Sequence, residues 1–402
     1  MMQTHSILYA IVFTTVFSLT LPGCSNDSSN EPHTILPAAY DLNSYLPRLQ
    51  MKNVAVVVNH TSLIGETHLV DTLLAQNISV VSIFTPEHGF SGNADAGASI
   101  SDMTYGNAKI PIISLYGKRM KPRAEDLNGV DMVVFDIQDV GVRTYTYIST
   151  LHYIMEACAR YSVPLLILDR PNPNGHYVDG PVLDMKYKSF VGMHPVPLVH
   201  GLTIGEYAEM INGEYWLPDS LQCNLEVVHC PNYSHSGFYS LPVPPSPNLK
   251  TMQSVYLYPS LVLFEGTVVS VGRGTDKPFM IYGHPNYPDH DFSFTPEPLE
   301  GSSMNPKLKN QKCYGKDLSG ISVDSLRNNQ QFTLRYLIDM YDKLDTGSEF
   351  FIPFFDQLAG TAELRKQIEA HKTEAEIKAS WKDALNAYKK IRVKYLLYPD
   401  FE

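Results

Sequence analysis

The chain predicts an α/β fold with a mostly parallel, doubly wound sheet, and two features carry that prediction. Apolar runs at residues 54–58, 80–84, 110–115, 132–137 and 165–168 are short and nearly free of polar alternation, as strands buried on both faces are. Amphipathic stretches lie between some of these runs, which is the layout of βαβ units. In order, the strand at 54–58 is followed by a short helix over 68–76 with Leu69, Val70, Leu73 and Leu74 on one face. The run at 110–115 stops at Tyr116-Gly117, and Asn128-Gly129-Val130-Asp131 introduces the run at 132–137. A helix is expected over 146–161, where Ile148, Leu151, Met155 and Cys158 recur at helical spacing. No G-x-G-x-x-G follows the first strand and no G-x-x-x-x-G-K-[ST] occurs, so no dinucleotide or triphosphate cofactor is indicated. No cofactor of any kind is expected.

A Pro/Gly/Asn cluster over 170–181 reads as a long loop or a connection between domains. Thr203, with Glu206 three residues on, forms a capping box opening a helix over 204–214. Residues 223–229 and 268–271 read as strands, 242–247 as a rigid Pro-rich segment ending at Asn248, and 283–312 as loop. The stretch 361–394 reads as helical, with Glu and Lys at pairing distance. No internal repeat is apparent. A length of 402 residues exceeds one ordinary core, so two domains are the default.

Composition narrows the function classes. Hydrophobic content of 44% with 18% charge describes a globular protein, and a net charge of -11 without a basic stripe argues against nucleic acid. The 25 tyrosines suit either a wet cleft that stacks on sugars or amphipathic positions of a large core. Residues 7–21 are apolar but short for a membrane span, and they end in Leu21-Pro22-Gly23-Cys24, which resembles a bacterial lipoprotein signal. The expectation is a signal over 1–24, lipidation of Cys24 as membrane anchor, and a polar tether over 25–45. That implies export to the cell envelope, periplasmic or outer-membrane associated. Cys223 and Cys230 flank an apolar run and can bridge only if the chain turns between them. No C-x-x-C pair is present and no metal site is expected.

Thr85-Pro86-Glu87-His88-Gly89-Phe90 is the stretch around which the chain is organised. Proline stops the ladder and glycine permits a sharp turn, so a carboxylate and an imidazole are presented beyond a strand's carboxyl end. Asn59-His60-Thr61, Asp136 with Gln138-Asp139, and Asp169-Arg170 with Asn172 follow other strands of the same sheet. In a parallel sheet all of these converge on one crevice. Carboxylates among amides and guanidinium groups suit glycosidic cleavage, with Glu87 as the acid that protonates the leaving oxygen.

Plainer readings stand beside these. Asp136 and Asp139 suit helix caps, Arg143 a structural ion pair, and Asp169-Arg170-Pro171-Asn172 a turn. His60 or His88 alone suits a hydrogen-bonded surface position. Farther on, His200-Gly201 precedes the capping box. Glu265-Gly266-Thr267 and Gly272-Arg273-Gly274-Thr275 bracket the run at 268–271, where Arg273 would grip a carboxylate or sit exposed in a hairpin.

The chain resembles the exo-β-N-acetylmuramidases of bacterial cell-wall recycling. The resemblance rests on Val57-Val58-Asn59-His60-Thr61-Ser62, Pro86-Glu87-His88-Gly89-Phe90, Phe135-Asp136-Ile137-Gln138-Asp139-Val140-Gly141-Val142-Arg143 and Leu168-Asp169-Arg170-Pro171-Asn172-Pro173-Asn174-Gly175. It continues through Pro245-Ser246-Pro247-Asn248, Glu265-Gly266-Thr267, Gly272-Arg273-Gly274-Thr275-Asp276-Lys277-Pro278-Phe279 and Phe355-Asp356-Gln357-Leu358-Ala359-Gly360-Thr361. It implies a Rossmann-like domain (46–195), a smaller C-terminal α/β domain (196–402) and a cleft between them. It also implies release of N-acetylmuramic acid from non-reducing ends of peptidoglycan fragments, with the family's catalytic glutamate falling on Glu87. Some relatives have Gln at the position of His60, and some carry Glu where Val271 stands. The second difference passes the role of second carboxylate to Asp136, Asp139 or Glu265. The resulting site is Glu87, His88 and Asp139 as catalytic groups, with Asn59, His60, Asp136, Gln138, Arg143, Asp169, Asn172, His200, Glu265 and Arg273 around the substrate. The rival readings are a metal-dependent hydrolase using His60, His88 and Asp136, and a lipoprotein that binds sugars or peptides without turnover.

Overall fold

Strand β1 (Asn53–Val58) lies inside the main sheet, paired in parallel with β4 (Ser79–Thr85) on one side and β7 (Met132–Asp136) on the other. Between them in sequence, β2 (Leu63–Ile64) and β3 (Thr67–His68) form a short hairpin apart from this sheet. The sheet is completed by β5 (Met103–Tyr105), β6 (Ile110–Ser114), β8 (Leu165–Leu168) and β9 (Leu225–Val228), in the order β5-β6-β4-β1-β7-β8-β9. Only the β5–β6 pair is antiparallel. The computed structural model describes residues 34–92, 103–344 and 346–402, so the signal, Cys24 and most of the tether lie outside the described residues. Residues from Ile35 to Glu402 make one compact unit.

Strand side chains alternate between faces, and both faces here are covered. Ala55, Val57, Phe84, Val133, Phe135 and Ile167 point into one core, which also holds Ile148, Leu151 and Met155 of helix Tyr147–Tyr161 and Tyr207 of helix Ile204–Gly213. Val54, Val56, Val58, Ile83, Val134 and Leu166 point into the other, with Leu69, Val70 and Leu73 of helix Leu69–Ala75. This double burial is why the strand runs read as continuous apolar sequence. The capping box forms as expected: Thr203 accepts from the Glu206 N–H, and Glu206 accepts from the Thr203 N–H.

Several expectations are revised. Strand β9 joins the main sheet although it lies beyond residue 195, and the first core runs on through Phe264, Tyr282 and Phe355. Residues 268–271 form no strand; an isolated bridge joins Ser270 to Gly283, and another, just before the stretch, joins Thr267 to Phe351. Pairing stops there because Gly272 turns the chain at φ 75°. The stretch 361–394 is divided into helices Glu363–Glu369, Glu374–Ser380 and Lys382–Arg392, with His371 at φ 51° and a capping box at Thr373 breaking it. A small antiparallel sheet, β10 (Ile281–His284), β11 (Ser293–Phe294) and β12 (Cys313–Asp317), adds to the C-terminal part. Cys223 and Cys230 flank β9 and are both free thiols, since an extended strand holds its ends apart. Cys223 instead lies beside Cys158, whose thiol it and burial hold well above the usual range.

Candidate active site

Strand β4 ends at Thr85, and Pro86 turns the chain so that Glu87 and His88 sit beyond its carboxyl end. His88 and Gly89 are both left-handed, at φ 71° and 70°. That conformation is unusual for histidine and is the kind of local strain that clusters at functional sites. Glu87 is half-buried and lines a cavity of about 250 Å³. Its Oε2 accepts a 2.7 Å hydrogen bond from Thr146 Oγ1. Tyr116, which follows β6, is held above its usual range by burial first and then by Glu87, through charge and a hydrogen bond.

The walls are aromatic. Tyr116, Tyr145, Tyr147, Tyr258, Phe190, Phe279 and Phe354 surround the carboxylate. Tyr145 donates to the Pro245 carbonyl at 2.8 Å, and Tyr145 and Tyr147 meet edge to face at 4.8 Å. The same lining holds an ion pair: Arg273 Nε bonds Glu265 Oε1 at 2.7 Å, and the guanidinium stands 5.1 Å from the Phe279 ring centroid. Burial works against the Arg273 charge, but Glu265 more than offsets it, and the pKa is raised. The cavity therefore offers a positioned carboxylate, stacking faces and a guanidinium, the equipment for holding a charged sugar.

The other expected site residues are placed differently. Asn59 is buried; its Nδ2 donates to the Tyr147 hydroxyl at 3.1 Å and its Oδ1 accepts from Thr61, so it steadies the cavity wall from behind. His60 bonds the Pro244 carbonyl at 2.8 Å, and burial lowers its pKa. Asp136 forms a bidentate pair with Arg170 in the core. Gln138 donates to the carbonyls of Asp139 and Pro171. Asp169 accepts from Thr203, Gly205 and Tyr398, and Asn172 bonds the Leu202 carbonyl and the Asn174 N–H. Arg143, expected at the substrate, is fully buried and donates to the carbonyls of Pro181, Val196, Leu358 and Ala359. It is a staple between segments distant in sequence.

Asp139, expected among the catalytic groups, and His200 lie together away from the cavity lining. Asp139 Oδ2 accepts from the Gly141 N–H at 2.6 Å and stands 3.9 Å from His200 Nε2, too far for a hydrogen bond. Burial pushes Asp139 up to about 7 and His200 down to about 3, so each is driven toward neutrality and the contact is no ion pair at neutral pH. Of the three carboxylates left for the second role, Glu265 alone lines the cavity. Strand-end position singled out Glu87 and His88 but missed Thr146 and the tyrosines. The signal that finds them is the run Thr144-Tyr145-Thr146-Tyr147 directly after the Arg143 motif.

Residues 54–253 match the family model described as exo-beta-N-acetylmuramidase NamZ, N-terminal, and residues 256–398 match its C-terminal counterpart. The chain belongs to the NamZ exo-β-N-acetylmuramidase family. It is 34% identical to the peptidoglycan beta-N-acetylmuramidase NamZ of Bacillus subtilis, over 94% of each chain. Two crystal structures of DUF1343 family proteins from Bacteroides fragilis share the fold. One has a TM-score of 0.85 at 48% identity, covering 91% of this chain and 99% of that one. The other has a TM-score of 0.75 at 26% identity, covering 90% and 99%. With Glu87 and Arg273 facing one aromatic cavity, this NamZ family member is a glycoside hydrolase.

Proposed function

We infer that the protein removes N-acetylmuramic acid from the non-reducing ends of peptidoglycan fragments, with Glu87 as general acid. The observation that carries this reading is the shared cavity of Glu87 and the Glu265–Arg273 pair. A glycosidic bond breaks through an oxocarbenium-like transition state when an acid protonates the leaving oxygen. The contacts of Thr146 and Tyr116 with Glu87 support that role. Arg273, aligned by Glu265, grips the lactyl carboxylate that distinguishes muramic acid from other acetamido sugars. The tyrosine faces stack on the pyranose ring. A cavity of about 250 Å³ has room for one terminal sugar and supports exo action.

The motif ending at Cys24 supports a lipid-anchored protein of the cell envelope, where such fragments occur. The competing metal-dependent reading is disfavoured because Asp136 is committed to Arg170 and His60 to Pro244. The test is release of free N-acetylmuramic acid from a β-linked muramic glycoside by wild type and Glu87→Gln. Release that collapses in the variant supports the assignment. No release from the glycoside or from muropeptide disaccharides sinks it and leaves a binding protein without turnover.

A further inference from the structure

A larger cavity, of about 650 Å³, shares no lining residue with the one that holds Glu87. Its size falls within the roughly 300–1,000 Å³ typical of small-molecule sites. Helix Met252–Leu261 stands between the two, giving Tyr258 to the first and Tyr256 to the second. Residues two apart on a helix face nearly opposite sides.

The second cavity contains a polar atom whose orientation is imposed from behind. Asn174, in the Asn172-Pro173-Asn174-Gly175 motif that the catalytic cavity does not use, is 0% exposed. Its Nδ2 donates to the carbonyls of Val140 at 2.8 Å and Val255 at 3.3 Å. Only the nitrogen can satisfy two carbonyl acceptors, so the amide cannot be flipped and Oδ1 is left as acceptor. That Oδ1 has no hydrogen-bond partner among the described residues. An unpaired buried acceptor is costly and invites a donor. The Tyr256 hydroxyl, on a side chain 7% exposed, has no hydrogen-bond partner of good geometry among the described residues; burial raises it to about 12, against the pull of the nearby Arg327 guanidinium.

Charge at the rim adds a preference. Glu374 is taken up by Thr333 Oγ1 and the Leu334 N–H, and Lys378 by the Phe332 carbonyl and Asp179. Exposed Arg335 also lines the cavity, resting on the Tyr336 ring and hydroxyl with the Glu374 charge nearby, and is the cation offered to an incoming anion. We propose that this cavity is a second, non-catalytic saccharide site that takes a carboxylate-bearing acetamido sugar. A sugar N–H or hydroxyl donates to Asn174 Oδ1, the Tyr256 hydroxyl bonds a ring substituent, and Arg335 holds the carboxylate. The identity of the sugar rests on the muramidase reading; the existence of the site does not.

The test is calorimetric titration of Glu87→Gln protein with N-acetylmuramic acid. Two binding events are expected. Tyr256→Phe and Arg335→Gln, which spare the buried carbonyl contacts of Asn174, each weaken one event about tenfold, and Arg273→Gln weakens the other. A single event indifferent to both Tyr256→Phe and Arg335→Gln overturns the second site, as does the absence of any binding. Wild-type turnover of the muramic glycoside is scored separately. Two events without turnover defeat the muramidase reading and leave this site standing.

Discussion

Thr146 Oγ1 donates to Glu87 Oε2 at 2.7 Å across 59 residues of chain, joining the loop after β4 to the N-cap of helix Tyr147–Tyr161. That bond holds one carboxylate oxygen still and leaves the aim of Glu87 to a rigid helix. Thr146→Val is therefore expected to lower kcat about tenfold to a hundredfold, as loss of one hydrogen bond to a charged group does. Thr146→Ser restores the donor. If Val and Ser variants behave alike, the hydroxyl has no such role.

Glu87→Gln keeps the shape of the side chain and removes the transferable proton. Turnover of a β-linked muramic glycoside should fall by about a thousandfold or more, with Tm within a degree or two of wild type. Steady-state kinetics and a thermal melt, run on the same sample, check both halves. A variant retaining a tenth of wild-type kcat would remove Glu87 from the acid role.

Arg273→Lys keeps the charge but loses the planar fork that matches a carboxylate. We expect KM for a muramic glycoside to rise about tenfold or more, while the corresponding N-acetylglucosaminide, which lacks the lactyl group, shows no such change. Equal losses on both substrates would mean that Arg273 supports the cavity without reading the carboxylate.

Arg143→Ala should act on stability rather than on substrate affinity. Four buried carbonyls lose their donor at once, a cost of at least about 3 kcal/mol. Denaturant unfolding should show it in full. A variant of wild-type stability with a raised KM would return Arg143 to the substrate.

Asp139 and His200 give a pH signature of opposing sign. Asp139 rises from 3.8 to about 7 on folding, so between those values the folded chain holds a proton that the unfolded chain has released. Its contribution to stability is present at low pH and is lost as pH rises through about 7. His200 falls from 6.5 to about 3, so the unfolded chain holds the extra proton and stability rises with pH across that window. The two slopes, each at most about 1.4 kcal/mol per pH unit, nearly cancel between about pH 4 and 6.5. Relative to wild type, Asp139→Asn should make stability climb with pH across that window, and His200→Gln should make it decline. Urea titrations at several pH values resolve both; parallel curves for all three proteins would contradict the assignment.

The sheet was legible because burial on both faces leaves a local mark: uninterrupted runs such as Val54 to Val58 and Val133 to Phe135 need no tertiary information to be read as inner strands. The capping box at Thr203 was legible for the same reason, since its partners lie three residues apart. Glu87 and His88 could be picked out because a proline and a glycine flank them at a strand end. Asn59, Asp136, Asp139, Asp169 and Asn172 share that position at strand ends, yet they turn inward to hold loops and neighbouring segments.

Position at a strand end is thus a property of the sequence, whereas direction is a property of the packing. A carboxylate meets solvent or a guanidinium according to what the rest of the chain brings to it. Arg170 reaches Asp136 across 34 residues, whereas Glu87 meets the Thr146 hydroxyl at the wall of an open cavity. Local sequence suffices for the parallel sheet, the family and the loop that presents Glu87. That Tyr116, Thr146, Tyr258 and the Glu265–Arg273 pair share its cavity follows from the folded arrangement alone. Those residues lie far apart in sequence, and only non-local packing brings them to one place.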